Sequence, residues 1–494
     1  MHNKKSFFGA SLALSVALLA GRLAGLFREI ELAKIFGIGA DADIAIILLS
    51  IPDLLVNLLI SGGLSAALVP RFLSLNSSQS AALFRQVSVF LAIIFIPLSI
   101  VTIFLPNTVF KILAPGVNLP LTVTRYCLVA VALAIPLTGV AGVASAYLNS
   151  KNKYFVAGCG TLIFNVVIIV MLQFYHFSEQ GGFEKNKFVL LSLGIGAGAF
   201  LRWLALVLAL PKTPEEKYKH LLIDYSLTKS FFYAAFSASL LLVAPILIRA
   251  IASLTGEGVI AAFNYTQKLI ELPVGVFFAS VSTIALTRMS QGFSENKVND
   301  IQNVFISYTR YCLALAMVVL VIGFWFAEPI VQVIYARGDF DESATKRIVD
   351  LFRIGVLSLP LIAASLMATA YLNAKNQNLL VLKISVLSLC VLPIFTLPGL
   401  LKHSETGLMY AVVAFYAFNV TALMFATKLH ILGKGALIDV RILRNITLCL
   451  MPVLTIILLD YQLPSYSLWV KLSLLCISFL SSLYFISRLF RVKI

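Results

Sequence analysis

The residues of this chain most able to do chemistry are charges set inside apolar runs. The densest group is Arg22, Arg28, Glu29, Glu31 and Lys34, followed by Asp41, Asp43 and Asp53 around the next run. A charge within a membrane span costs at least a few kcal/mol, so each such residue is a functional candidate by default. Arg22 lies about four turns into an apolar segment, too deep to reach the nearer surface easily. For Arg28 and Glu29 two readings stay open, a helix-end pair at the outer interface or part of a binding site. Farther along, Lys268 and Glu271 stand at i, i+3 spacing and form either a satisfied pair or a substrate contact. Arg202, Arg249 and Arg353 read as snorkelling anchors near the interfaces, and Arg125 is ambiguous. Arginine suits a diphosphate, because its planar fork gives bidentate hydrogen bonds and keeps its charge when desolvated. A basic cavity inside the bilayer therefore calls for an anionic amphiphile, whereas export of metal or drug cations would call for carboxylates.

Catalytic signatures are missing from the sequence. His2, His176, His220, His403 and His430 form no pair at metal-ligand spacing. Neither a phosphate-binding G-x-x-x-x-G-K-[ST] loop nor a G-x-S-x-G nucleophile elbow is present. Gly194-Ile195-Gly196-Ala197-Gly198 sits within an apolar run with no preceding strand, and its small residues predict close helix approach instead. The expectation is a transporter with no cofactor and no bound metal, not an enzyme.

The elements that must position these charges are membrane helices. Hydrophobic residues make up 60% of the 494 positions, charged ones only 12%, and the mean hydropathy is +0.96. A spanning helix needs about 20 apolar residues. Apolar length and the Pro, Gly and charge breaks predict an all-α polytopic membrane protein with about fourteen transmembrane helices. Six fall between residues 7 and 210, six between 226 and 431, and two between 443 and 487. The first run carries Arg22 and lacks a convincing cleavage site, so it reads as a retained helix and not a signal peptide. The six cysteines lie inside apolar runs, where they act as small hydrophobes.

The net charge of +16 follows the positive-inside rule and is not a nucleic-acid signature, since the basic residues are scattered over short loops. Arg71, Arg85, Lys151, Lys153, Lys212, Lys217, Lys219, Arg288, Lys297, Lys375, Lys428, Lys434, Arg441 and Arg444 fall in alternate loops on one side, which is then cytoplasmic. Both termini are expected there too, with loops such as Glu179 to Lys187 and Asp339 to Glu342 outside.

An internal repeat organises the chain. Ala146-Tyr147-Leu148-Asn149-Ser150-Lys151-Asn152 recurs as Ala370-Tyr371-Leu372-Asn373-Ala374-Lys375-Asn376, 224 positions on (146 to 370), and Pro136 matches Pro360 at the same offset. Pro52 matches Pro273 at 221 (52 to 273). The motif ends a helix on the same side in both copies, so the repeat is parallel, with two six-helix lobes about an axis along the membrane normal. The expected division is an N-lobe at 1–210, a cytoplasmic linker at 211–225, a C-lobe at 226–431 and two further helices at 432–494. The identical stretches Thr124-Arg125-Tyr126-Cys127-Leu128 and Thr309-Arg310-Tyr311-Cys312-Leu313 disagree with this offset and are read as coincidence.

One stretch resembles a known family. Gly21-Arg22-Leu23-Ala24-Gly25-Leu26-Phe27-Arg28-Glu29, Phe36-Gly37-Ile38-Gly39, Asp43, Ile51-Pro52-Asp53-Leu54-Leu55 and Gly62-Gly63-Leu64-Ser65-Ala66-Ala67-Leu68-Val69-Pro70 are similar to the MurJ/MviN lipid II flippases of the multidrug/oligosaccharidyl-lipid/polysaccharide exporter superfamily. Lys268-Leu269-Ile270-Glu271-Leu272-Pro273-Val274-Gly275-Val276 and Ala336-Arg337-Gly338 add weaker support. The resemblance implies alternating access in the bacterial cytoplasmic membrane. Its substrate would be a lipid-linked glycan diphosphate precursor whose tail stays among the membrane lipids, along a groove formed by the last two helices. Arg22, Arg28 and Lys268 would bind the headgroup in a central cationic cavity, with Glu29, Asp43, Asp53, Asn57 and Glu271 supporting it or balancing its charge. Glu29 stands where the family usually has an aspartate. Val56 and Asn57 stand where it has an arginine pair, and Gln267-Lys268 where it has Asp-Arg. The seventh helix offers no carboxylate for a coupling sodium ion. Precursors of O-antigen or capsule, or a small molecule moved by antiport, are the alternatives these departures keep open.

Overall fold

The computed structural model describes residues 2–58, 64–120, 123–179, 186–211, 244–295, 298–428, 440–462 and 468–490. All but the first residue of the expected linker at 211–225, most of the expected seventh helix and residues 180–185 of the Glu179 to Lys187 loop lie outside the described residues. The described part of the chain is helical, with no strand. The first half holds α1 (His2–Phe36), α2 (Ala40–Leu58), α3 (Leu64–Ser74), α4 (Ser77–Phe104), α5 (Pro106–Leu113), α6 (Arg125–Ser150), α7 (Tyr154–Glu179) and α8 (Lys187–Leu208). A stretch over 244–252 is α9. Then come α10 (Val259–Pro273), α11 (Ala279–Ser294), α12 (Val298–Trp325), α13 (Ala327–Tyr335), α14 (Glu342–Gly355), α15 (Leu359–Ala374), α16 (Asn378–Leu401), α17 (Glu405–Thr427), α18 (Val440–Gln462) and α19 (Leu468–Phe490). Among the described residues, ten helical spans are long and apolar enough to cross a membrane. α10 and α11 join through a π-helical turn at Val274–Phe278, and α14 and α15 through a 3-10 turn at Val356–Ser358. In both, a proline with no N–H to give (Pro273, Pro360) lies beside the irregularity.

Helix ends follow local chemistry. Asn76 and Gln79 form a reciprocal capping box at the start of α4, and Asn186 and Ser404 accept backbone N–H groups at the starts of α8 and α17. Both copies of the repeat motif end their helix identically. Asn152 and Asn376 adopt left-handed φ of 60° and 61°, and the next amide returns to the carbonyl five residues back (Lys153 to Leu148, 2.9 Å; Gln377 to Leu372, 2.8 Å), a Schellman turn. The coincidental pentapeptides, by contrast, begin α6 in one case and lie inside α12 in the other.

The chain divides into two compact units, Met1–Ala261 with Arg337–Phe340, and Ala262–Ala336 with Asp341–Ile494. In the first, α6 is the central helix, packed on α2, α3, α4, α7 and α8, while α1 lies along α7. Lipid is as apolar as leucine, so packing must come from close backbone approach. The glycine run predicted for this purpose provides it. A Cβ on Gly196 would stand 2.9 Å from the Ala130 carbonyl of α6, and one on Gly198 3.0 Å from that of Phe164 on α7. In the second unit α15 packs on α11, α12, α16 and α17, and α18 and α19 pack on each other and on α12. Asn419 ties three helices there, accepting from Ser365 at 2.8 Å and donating to Ser388 at 3.0 Å.

The repeat extends beyond its sequence motif. Tyr147 packs against Phe72 and Phe84, with ring centroids 5.1 and 5.3 Å away. Tyr371 packs against Phe293 and Phe305 at 5.9 and 5.0 Å. Each phenylalanine of the second set lies 221 positions after its counterpart (72 to 293, 84 to 305), the offset that relates Pro52 to Pro273.

Candidate functional site

On α1, Gly21, Gly25 and Arg28 lie against α7. Arg28 and Glu29 are only 3% and 1% exposed. The Arg28 guanidinium donates from Nη2 to Glu29 Oε1 at 2.7 Å and from Nη1 to Asn165 Oδ1 of α7 at 2.9 Å. Asn165 in turn donates to the Gly21 carbonyl at 3.1 Å. Gly21 and Gly25 lie against α7, where a Cβ would stand 3.4 Å from Thr161 and 3.5 Å from the Asn165 amide respectively. The arrangement is a buried ion pair with its amide neighbour, and breaking such a pair by removing one partner costs about 3–5 kcal/mol. Of the two readings of Arg28 and Glu29, the exposed helix-end pair does not hold: α1 continues to Phe36 and the pair is enclosed.

Arg22, two turns earlier on α1, is exposed in this structure. In the second unit Lys268 Nζ lies 2.9 Å from Glu271 Oε2 on α10, with both side chains partly exposed. Each expected cation thus has a described position: Arg28 with Glu29 and Asn165, and Lys268 with Glu271. The side chains of Asp53 and Asn57 lie outside those described.

Asp43 is held differently. It is 1% exposed, and its Oδ2 and Oδ1 accept the amides of Gly258 at 2.7 Å and Ala261 at 2.8 Å. A carboxylate of α2 thereby caps the start of α10, where orphan N–H groups and the helix dipole favour negative charge. Asp41, two residues earlier, pairs with Lys187 at 2.9 Å.

Arg202 corrects an expectation. Read as an interfacial anchor, it is 2% exposed on α8 and lies across Gly160 of α7, where a Cβ would come within 3.3 Å of its Nε. The missing side chain opens the slot that takes the arginine. Arg249 is half-buried, and its Nη1 donates to Ser50 of α2 at 3.3 Å. Arg125 opens α6 with its guanidinium over the Phe104 ring. Sequence reasoning missed Asn165, a neutral residue in an apolar run with no visible partner. Among the described residues, no three His, Cys, Asp or Glu side chains could share a metal ion.

The architecture is a multi-helix fold shared with solved membrane proteins. A multidrug resistance MATE family transporter of the MOP superfamily, solved in an inward-facing conformation, superposes with a TM-score of 0.64 at 13% identity, covering 85% of this chain and 99% of that one. A structure of lipid II flippase MurJ in an inward closed conformation superposes with a TM-score of 0.79 at 20% identity, over 97% of this chain and 99% of the other. Among curated relatives, a probable lipid II flippase MurJ of Buchnera aphidicola subsp. Schizaphis graminum is 23% identical over 425 residues, 82% of this chain and 81% of its own length. The sequence profile of the lipid II flippase MurJ family matches residues 32–480, and the chain belongs to that family.

Proposed function

We propose that this multi-pass membrane protein is a flippase that carries lipid II, a polyprenyl-diphosphate-linked peptidoglycan precursor, across the bacterial cytoplasmic membrane by alternating access. The observation that carries this reading is the family match over residues 32–480. In the proposed mechanism Arg22, Arg28 and Lys268 hold the diphosphate. Glu29 and Asn165 occupy the oxygen positions around Arg28 in the empty state, and Glu271 does the same for Lys268. A diphosphate displaces these internal acceptors as it enters, so the burial cost of each cation is met at every stage. Asp43, Asp53 and Asn57 are supporting residues, Asp43 through its cap on α10. The lobes are 1–210 and 226–431, joined by a cytoplasmic linker at 211–225, and the helices of 432–494 take the lipid tail. Both termini are cytoplasmic, no covalent chemistry is performed, and the count of fourteen spans belongs to the same reading.

A second reading, transport of another lipid-linked glycan, is favoured by Val56 and Asn57, neutral where the resemblance leads one to expect arginines. Complementation of a strain depleted of its own lipid II flippase separates the two. Restored growth supports lipid II, and lysis despite normal membrane expression excludes it.

A further inference from the structure

Arg249, which the sequence suggests is an interfacial anchor, is the repeat counterpart of Arg28. We infer that Arg249 is a further headgroup-binding residue, one that contacts the phosphate oxygens of the polyprenyl diphosphate. The inference rests on the flippase reading for the identity of the lipid.

The repeat is the first observation. The offset of 221 that relates the proline and phenylalanine pairs also relates, without a gap, Arg28 to Arg249 (28 to 249) and Gly37 to Gly258 (37 to 258). Leu26, Ile30 and Ala40 match Leu247, Ile251 and Ala261 in the same register. The backbone agrees, because Gly37 and Gly258 both have left-handed φ, +59° and +74°. Each glycine lies nine residues past its arginine, so the two arginines hold the same place before the turn into the next helix.

Depth is the second observation. Arg249 and Ser50 both belong to the first unit. Arg249 Nη1 donates to Ser50 Oγ at 3.3 Å, and that hydroxyl donates in turn to the Ile46 carbonyl at 2.7 Å. Ser50 is seven residues past Asp43 (43 to 50), about 10 Å along α2 from the point where Asp43 meets the Gly258 amide. A snorkelling anchor carries its charge to the boundary with water, whereas this guanidinium lies against the middle of α2.

The third observation concerns the partner positions. Lys268 donates to Glu271 at 2.9 Å, and Ser50 and Glu271 are themselves 221 apart (50 to 271). Glu29, which accepts from Arg28, has Ala250 as its counterpart (29 to 250). The two positions that supply carboxylates to Arg28 and Lys268 are thus neutral beside Arg249, as Ala250 and Ser50. A hydrogen bond to Ser50 needs only a neutral donor, and a charge inside a span is costly. An anionic phosphate is the ligand that uses the charge, through the planar fork of the guanidinium.

Binding is measured on purified protein in phosphatidylcholine nanodiscs, titrated with a polyprenyl diphosphate and with the matching monophosphate. Arg249→Gln is expected to weaken diphosphate binding about tenfold or more and to reduce the preference for diphosphate over monophosphate. Ser50→Ala removes the hydrogen bond between the helices and leaves the cation, and is expected to bind within about twofold of the parent. Should the glutamine variant not fold, Arg249→Lys serves in its place: it keeps the charge without the fork and is expected to lose several-fold. Parent-like binding by folded Arg249→Gln or by Arg249→Lys overturns the assignment, and so do equal losses in Arg249→Gln and Ser50→Ala. A parent protein that binds the diphosphate lipid through Arg249 but moves no lipid II would keep the residue's role and remove the substrate assignment. An Arg249→Gln protein that binds and moves lipid II like the parent would do the reverse.

Discussion

Asp43 and Gly258, 215 residues apart, are joined by a 2.7 Å hydrogen bond from the Gly258 amide to the Asp43 carboxylate. With the Ala261 amide on the other oxygen, this one side chain caps α10, the helix that carries Lys268. Asp43→Ala should lower stability by about 2 kcal/mol, at the upper end for helix caps because the carboxylate is buried. Asp43→Asn keeps one acceptor and should lose about half of that. Thermal unfolding of the detergent-solubilised protein measures both, and an unchanged midpoint for Asp43→Ala would contradict the capping role.

The buried pair on α1 sets the second expectation. Arg28→Ala alone takes the guanidinium away from the enclosed Glu29 carboxylate, at a cost of about 3–5 kcal/mol. Adding Glu29→Ala should recover a large part of that loss, because the pair and not either member is what the packing tolerates. A double variant as unstable as the sum of the single ones would show that the two side chains do not interact.

The two aromatic clusters predict parallel behaviour in the two units. Tyr147→Ala and Tyr371→Ala should each cost about 3–5 kcal/mol through cavity formation. Tyr147→Phe should be neutral or slightly stabilising, since the buried hydroxyl of Tyr147 has no hydrogen-bond partner among the described residues. A Tyr147→Phe protein markedly less stable than the parent would rule this out.

At the N-cap of α14 the Asp341 carboxyl is held below its usual pKa by the Ala344 amide and then by the Ser343 hydroxyl. A depressed carboxylate contributes stability that is present above its unfolded pKa and is lost as the pH falls through the folded one. Hydrogen exchange of the first turn of α14 should therefore quicken, relative to the intrinsic rate, on acidification below about pH 4. Asp341→Asn should remove that pH dependence, and a variant that keeps it would place its origin elsewhere.

Orientation is tested by thiol labelling in intact cells. Cysteines replacing Lys151 and Lys375 should be shielded from an impermeant reagent, and one replacing Asp341 should react. External reaction at position 151 would invert the assignment.

Much of the fold is visible in the residues themselves. Long apolar runs dictate helices in any solvent that lacks hydrogen-bonding groups, and the glycine run at 194–198 announces the tight helix crossing that it forms. The Tyr-Leu-Asn repeat was readable because the Schellman turn needs a residue tolerant of left-handed φ at one fixed place, filled by Asn152 and Asn376. Contacts whose partners lie far apart in the chain were not readable. Asn165 looks like any neutral residue in an apolar run until α7 lies beside α1. Asp43 gives no sign that its partners are backbone amides more than 200 positions away. Arg202 was misplaced for the same reason, because the slot that buries it is the missing side chain of Gly160 on another helix.

The most direct test of the central claim is movement of a fluorescent lipid II analogue across proteoliposomes, with the outer-leaflet fraction bleached by an impermeant reductant. The parent protein should exceed protein-free liposomes, and Arg28→Ala/Glu29→Ala, folded and inserted, should fall by about tenfold or more, because the binding site has lost its bidentate cation. A parent protein no faster than empty liposomes, or a double variant as fast as the parent, would contradict the account.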